Sequence, residues 1–208
     1  GTWNRADQEQ GGKPCPTNVV KIAYRIAKCS PDGVRQVIYY DQGVGTGNLV
    51  DRAFGGAFGE GMEANMNDAY RFLIGNYEEG DEIYFFGFSR GAYTVRSIAG
   101  MVRNCGILKR TSIREYARAI RMYRDRANHP NDEESVKFKR EHSVVGGGED
   151  VPVHFIGVWD TVGARGIPTK NLRHLTKKKY EFHDPALSKT VRHAYHALAI
   201  NERRGSFE

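Results

Sequence analysis

The sequence predicts an α/β fold, a mostly parallel sheet with helices on both of its faces. Short apolar runs of strand length alternate with segments of helical periodicity, and parallel strands need crossover connections that are usually helices. Two of the apolar runs end in polar residues with reactive side chains, at the end of a strand where parallel sheets bind ligands. The 208 residues, of which 39% are hydrophobic, fit a single domain over 1–208.

The first part of the chain is less regular than the rest. Residues 19–23 are typical of a helix start or a short strand, and residues 35–40 predict a strand that ends in the loop 41–47. Residues 51–61 are rich in glycine and predict an irregular surface loop. An amphipathic helix follows, because apolar residues recur at helical spacing at Met66, Tyr70, Leu73 and Tyr77.

The apolar strand 82–86, the turn Gly87-Phe88-Ser89-Arg90-Gly91 and the helix 92–102 form one unit. A G-x-S-x-G turn between a strand and a helix is the arrangement of a nucleophile elbow, in which a strained serine stands at the top of the sheet. Ser89 is therefore the candidate nucleophile. The N–H of Arg90, the next residue, is a candidate oxyanion-hole donor. A tight turn with Ser89 as a helix N-cap is the structural alternative.

The segment after the elbow helix is more polar. Asn104-Cys105-Gly106 predicts the end of that helix. Ser112 and Glu115 have the spacing of a capping box for a second helix. The apolar stripe of this helix comprises Ile113, Tyr116, Ala117, Ile120 and Tyr123. Residues 125–150 are polar, run into a stretch of glycines and predict an insertion over the core.

Residues 151–158 predict the next buried strand, and Asp160 follows directly after it. An acid downstream of the nucleophile fits the chain order Ser, then Asp or Glu, then His, in which the acid orients the histidine and stabilises its cationic form. Capping of the following turn is the structural alternative for Asp160. His193 and His196 share a helix face if residues 189–200 are helical. His196 is the alternative base within the chain, since it follows the acid.

Net charge and composition limit the classes of partner that the chain is expected to bind. The net charge is +6, and clustered lysines and arginines suit either an anionic membrane surface or a solvated face. Nucleic acid is disfavoured, because no recognition motif accompanies these clusters. No pattern requires a metal or an organic cofactor, and the three cysteines indicate reduced thiols.

No apolar run reaches the length of a membrane span, and the N-terminal residues do not resemble a signal peptide. We expect either cytoplasmic residence or export by a system that reads no signal peptide.

Several longer motifs together resemble one family. They are Gly1-Thr2-Trp3-Asn4, the run 39–46, the elbow residues 87–96 and the run 157–163, and residues 196–204 extend the match. The chain looks like the α/β-hydrolase domain of type VI secretion phospholipase effectors and their uncharacterised bacterial and fungal relatives.

The resemblance implies a serine hydrolase that cleaves carboxylic esters, with lipids or phospholipids as substrates, through Ser89, Asp160 and a histidine. It also implies that Thr2 or Trp3 supplies the second oxyanion-hole donor. In the family an apolar strand precedes the first motif, and the presumed histidine lies beyond the Glu-Arg-Arg motif. We therefore expect a hydrolase-like domain incomplete at both termini that is weakly active or inactive alone. A non-catalytic interaction module that retains the architecture is the alternative.

Overall fold

The computed structural model describes residues 7, 9–43, 57–161 and 187–200. Its strands are β1 (Glu9–Gln10), β2 (Lys13–Pro14), β3 (Tyr84–Phe88), β4 (Val153–Trp159) and β5 (Val191–Ala197). Its α-helices are α1 (Asn18–Ala23), α2 (Ala57–Asn76), α3 (Arg90–Cys105), α4 (Tyr116–Arg124) and α5 (Glu133–His142), and a 3-10 helix spans Arg110–Glu115.

The strands β3, β4 and β5 form a parallel sheet in that order. Phe86 lies opposite Gly157, and Val158 lies opposite His196. β1 and β2 form a separate short antiparallel pair. α3, α4 and α5 all lie in the connection from β3 to β4, as expected of a crossover between parallel strands. The predicted mixed α/β class with parallel strands is therefore confirmed.

α3 packs closely against the sheet because β3 carries a glycine where the helix approaches. A Cβ atom at Gly87 would lie 2.5 Å from the carbonyl oxygen of Gly91 and 2.7 Å from Cα of Ala92. These are backbone atoms, which cannot rotate away. Beyond this contact, α3 and the strands share a small apolar core that comprises Ala92, Ala99, Val153, Ile156, Val158 and Val191.

The larger core lies between α2, α3, α4 and α5. The helix predicted from Met66, Tyr70, Leu73 and Tyr77 is confirmed within α2 and at its end, and the tyrosine ring at 70 is fully buried. The Tyr70 hydroxyl donates a hydrogen bond of 2.9 Å to the carbonyl of Gly106, which satisfies a buried polar group. Gly106 has φ 70° and follows the last residue of α3, so the predicted end of that helix is also confirmed.

The polar segment 125–150 contributes to this core through α5. Phe138 is fully buried, and the Lys139 side chain is only 2% exposed. The Lys139 ammonium lies 2.5 Å from Asp150 Oδ1 and donates to the carbonyls of Arg103 and Pro130. A buried charge needs such partners, since an unpaired one is strongly destabilising. That 125–150 is an insertion stays a prediction.

Two predicted elements, the strand over residues 35–40 and the capping box at Ser112, are wrong. Residues 35–40 form no strand, apart from an isolated antiparallel bridge between Cys29 and Arg35, because no described strand lies beside them; Val37 and Ile38 are exposed. Ser112 caps no helix. It lies inside the 3-10 helix, and α4 begins only at Tyr116, so the predicted capping box does not form.

Two further predictions need correction. His193 and His196 would share a helix face only if residues 189–200 were helical, and this condition is not met, because β5 occupies Val191–Ala197. This segment is a strand because it pairs with β4, and the apolar periodicity within a segment does not reveal pairing with a distant strand. The glycine-rich loop 51–61 is wrong from Ala57 onward, where α2 begins; residues 51–56 lie outside the described residues.

Candidate functional site

Ser89 occupies the sharp turn between β3 and α3. Its backbone has φ 55° and ψ −118°, a region that a residue with a side chain adopts only under strain of about 1–3 kcal/mol. The Ser89 N–H donates a hydrogen bond of 2.8 Å to the carbonyl of Trp159, which ties the turn to the neighbouring strand. Ser89 stands at the N-cap position of α3, but its side chain makes no capping bond. The N-cap alternative therefore does not account for the hydroxyl.

Asp160 lies at the equivalent place on the next strand. It follows Trp159, the last residue of β4, and Trp159 is paired with Phe88 in the parallel register. Asp160 has φ 41°, and Ser89 and Asp160 are the only non-glycine residues with positive φ in the described part of the chain. Because β3 and β4 are parallel neighbours, both side chains project from the same edge of the sheet.

Backbone groups at the end of β5 and just after it hold Asp160 in place. The Asp160 N–H donates to the carbonyl of Ala197 at 2.9 Å, and Asp160 Oδ1 accepts from the N–H of Ala199 at 2.5 Å. These contacts could not be predicted from the sequence, because a backbone donor or acceptor leaves no trace in residue type. One carboxylate oxygen is thus engaged in positioning.

His196 lies on β5, opposite Val158 of β4, so three successive strands bring Ser89, Asp160 and His196 to one edge of the sheet. The Nε2 atom of His196 accepts a hydrogen bond of 3.2 Å from the N–H of Thr161. This hydrogen bond connects His196 to the turn after Asp160. Within the described residues, no contact joins His196 to the Ser89 hydroxyl. His193 pairs with Phe155, and its ring packs against that of His154 at a tilt of 55°, with ring centroids 5.6 Å apart.

Arg90 is the first residue of α3. The first N–H groups of a helix point out of its end, so the backbone at Arg90 has the orientation that suits binding of an anion in front of α3. Burial lowers the pKa of the Arg90 guanidinium to about 10, which leaves the side chain charged at neutral pH. Thr2 and Trp3, the predicted second donors, lie outside the described residues.

The described residues include no group of three or more His, Cys, Asp or Glu side chains able to hold a metal ion. Over those same stretches, none of the helices combines the length and the apolar character that crossing a membrane requires. The site in front of α3 is thus made of a hydroxyl, a carboxylate and backbone donors.

A known protein family and a curated protein match this chain over all or most of its length. Residues 1–208 match the family described as "T6SS, Phospholipase effector Tle1-like, catalytic domain". The "Uncharacterized protein YEL023C" of Saccharomyces cerevisiae is 30% identical over 221 residues, which cover 92% of this chain and 29% of the yeast protein. The chain thus spans under a third of the length of this relative. No solved structure gives a significant match. The match over the full sequence shows that the chain belongs to the family of Tle1-like phospholipase effector catalytic domains.

Proposed function

We propose that this chain is the catalytic part of a serine hydrolase that cleaves carboxylic esters of lipids or phospholipids on an α/β-hydrolase-like fold. The observation that carries the proposal is the strained backbone of Ser89 between β3 and α3, beside a second strained residue, Asp160, on the next strand. A strained backbone persists only where the surrounding structure holds the residue in place, and such residues cluster at active sites. Membership of a family named for phospholipase effectors supports lipids as substrates.

In the proposed reaction, Ser89 Oγ attacks the ester carbonyl carbon while a histidine takes the hydroxyl proton. The N–H of Arg90 and a donor from Thr2 or Trp3 stabilise the negative oxygen of the tetrahedral intermediate, each contributing about 3 kcal/mol. The intermediate collapses, and the leaving alcohol takes the proton from the histidine. Water then attacks the acyl-enzyme by the same route and releases the fatty acid. Asp160 keeps the histidine oriented and stabilises its charge.

We assign the base to a histidine outside these 208 residues, with His196 as the alternative. A base must have a lone pair directed at the nucleophile, and His196 Nε2 is engaged by the N–H of Thr161. Without an activating base a serine hydroxyl is a weak nucleophile. The chain alone is therefore expected to turn over substrate slowly, and its basic clusters are proposed to face an anionic membrane surface.

Labelling with a fluorophosphonate tests the nucleophile. Ser89 Oγ forms a bond to phosphorus and fluoride leaves, so the adduct adds a defined mass to the peptide that contains residue 89. The 208-residue chain and a longer form continuing past Glu208 are both treated. Ser89→Ala must abolish the adduct, whereas Ser112→Ala, at a half-buried position away from the elbow, is a matched control that must keep it.

Labelling of the longer form alone places the base outside these residues, whereas labelling of both forms places it within them and makes His196 the first candidate. The non-catalytic interaction module is the competing function. The interaction module predicts no adduct in either form, and a Ser89→Ala variant that still folds and still binds its partners. These results together would overturn the hydrolase proposal.

A further inference from the structure

A cavity of about 130 Å³ lies on the side of the sheet that α3 covers. Residues of α3, of the turn 125–130 and of the segment that leads into β5 line it. On α3 its lining includes Arg96 and Arg103, six and thirteen residues beyond Arg90, which is roughly 9 and 20 Å along the axis at about 1.5 Å per residue. Ile156 in the middle of β4 and Val191, the first residue of β5, also line the cavity. The cavity thus extends from the middle of the sheet toward the amino ends of the strands, and its described lining includes neither Ser89 nor Asp160.

The lining combines two kinds of side chain. Arg96, Arg103 and Arg126 contribute three guanidinium groups, and the described lining residues include no aspartate or glutamate. The apolar lining residues are Ala99, Ile156, Leu187 and Val191. Leu187 is 62% exposed at the end of the described segment. A guanidinium group binds phosphate through paired, charge-assisted hydrogen bonds, whereas the apolar lining residues suit a hydrocarbon group.

A buried polar network fixes the shape of the cavity. The Asn104 side chain is 5% exposed, and its Nδ2 donates to the carbonyl of Asn128 at 3.1 Å. Asn104 Oδ1 accepts from Asn128 Nδ2 and from the hydroxyl of Ser135, which is fully buried. These bonds fasten the turn 125–130 to the end of α3 and to α5. Arg103 and Arg126 are therefore carried on backbone held at a fixed separation, and little ordering is needed on binding.

We propose that this cavity binds a phosphate monoester that carries an apolar group, with the phosphate on the arginines and the apolar group along Ile156, Val191 and Leu187. The proposal does not depend on the esterase activity, because the described lining contains none of the residues assigned to the catalytic site. It is also distinct from general attraction of a basic protein to anions. The geometry requires Arg103 and Arg126 in particular, and not the total charge.

Calorimetric titration of the 208-residue chain tests the proposal with three ligands. They are a short-chain, ether-linked phosphatidic acid, which has no ester to cleave, the corresponding zwitterionic phosphatidylcholine, and inorganic phosphate. We expect the phosphatidic acid to bind with an affinity that falls as salt is raised, and the phosphatidylcholine to bind more weakly. The double variant Arg103→Gln/Arg126→Gln should weaken phosphatidic acid binding by about tenfold or more.

Two further variants keep the test decisive. Arg126 is exposed, so Arg126→Gln alone should fold normally and still weaken binding. Arg121→Gln removes an exposed arginine from the neighbouring α4 that does not line the cavity, and it should leave the affinity within about twofold. Thermal unfolding of each variant checks that the fold is intact.

Three results would overturn the proposal. Phosphatidic acid could fail to bind at all. Arg121→Gln could weaken binding as much as the double variant does, which would indicate net charge alone. Inorganic phosphate could bind as tightly as phosphatidic acid, which would show that the apolar lining residues contribute nothing and that the cavity takes a free anion.

Discussion

Ser89 and Asp160 share a backbone property that sets them apart from the rest of the described chain. Both have side chains and both adopt positive φ, at the ends of two adjacent parallel strands. The sequence predicted each of them as a functional residue, because an apolar strand delivers each one and the spacing around Ser89 is specific. It did not predict what holds them. The bond from Ser89 N–H to the carbonyl of Trp159 and the bond from Ala199 N–H to Asp160 Oδ1 each use a backbone donor and join residues far apart in sequence.

At this scale we predict that Asp160→Asn slows reaction at Ser89 and leaves the fold unchanged. Asparagine retains an Oδ1 that accepts the N–H of Ala199, so the turn should persist, but it cannot stabilise a cationic histidine. The rate of fluorophosphonate labelling in the longer form should fall by about 10³-fold to 10⁴-fold.

Asp125→Asn is the matched control for that measurement. Asp125 Oδ1 also accepts a backbone N–H, from Ala127 at 3.0 Å, and its replacement should not alter labelling. An Asp160→Asn protein that labels at the rate of the unchanged chain would show that Asp160 only shapes the turn.

At the scale of elements, prediction succeeded where the pattern lies within one segment. The apolar spacing from Met66 to Tyr77 and the strand-turn-helix unit around Ser89 are both local, and both are confirmed. The strand β5 was not predicted, because its pairing with β4 is a long-range contact, and most of its residues are exposed, so no buried stripe marks it. Residues 35–40 show the opposite failure, since a strand was predicted there and none forms. Their composition is typical of a strand, yet no described strand lies beside them.

For the unit of β3 and α3 we predict that Gly87→Ala destabilises the protein by about 1–3 kcal/mol, as overpacking does. The added methyl group would meet backbone atoms of Gly91 and Ala92, so the strand and the helix must move apart. Urea denaturation followed by circular dichroism measures the change.

Gly75→Ala is the opposite control. Gly75 is exposed in α2, and no atom lies within 4 Å of a Cβ added there; alanine in a helix is more stable than glycine by about 0.5–1 kcal/mol. Equal effects of the two substitutions, in either direction, would contradict the close approach described for Gly87.

For the whole molecule, α3 is the most widely connected element of the described residues, because it contacts β3, β4, α2, α4 and α5. It begins at the candidate nucleophile, covers the sheet, lines the arginine-rich cavity and ends in the larger core at Cys105. The sequence identified this helix but not its central position, because that position depends on which residues of distant helices fill the space around it. Cys105 is fully buried in that core, and burial raises its pKa to about 12.

The cysteines therefore report on global unfolding. Cys15 and Cys29 are exposed, whereas Cys105 is buried. We predict that a thiol reagent at neutral pH modifies Cys15 and Cys29 in the folded protein, and reaches Cys105 only in denaturant, because a thiolate is needed for reaction. Peptide mapping by mass spectrometry identifies the modified residues. Modification of Cys105 as fast as the other two, without denaturant, would show that the core around it opens readily.

The hydrogen bond from Ser89 to Trp159 makes a single amide proton a reporter of the whole site. That proton exchanges with deuterium only when the turn detaches from β4, since an amide exchanges when its hydrogen bond opens. Its protection measures how often the serine leaves its strained conformation in the resting protein. A slowly exchanging Ser89 amide would mean that the reactive geometry exists before any substrate arrives. Rapid exchange would mean that the chain assembles it only on contact with a lipid.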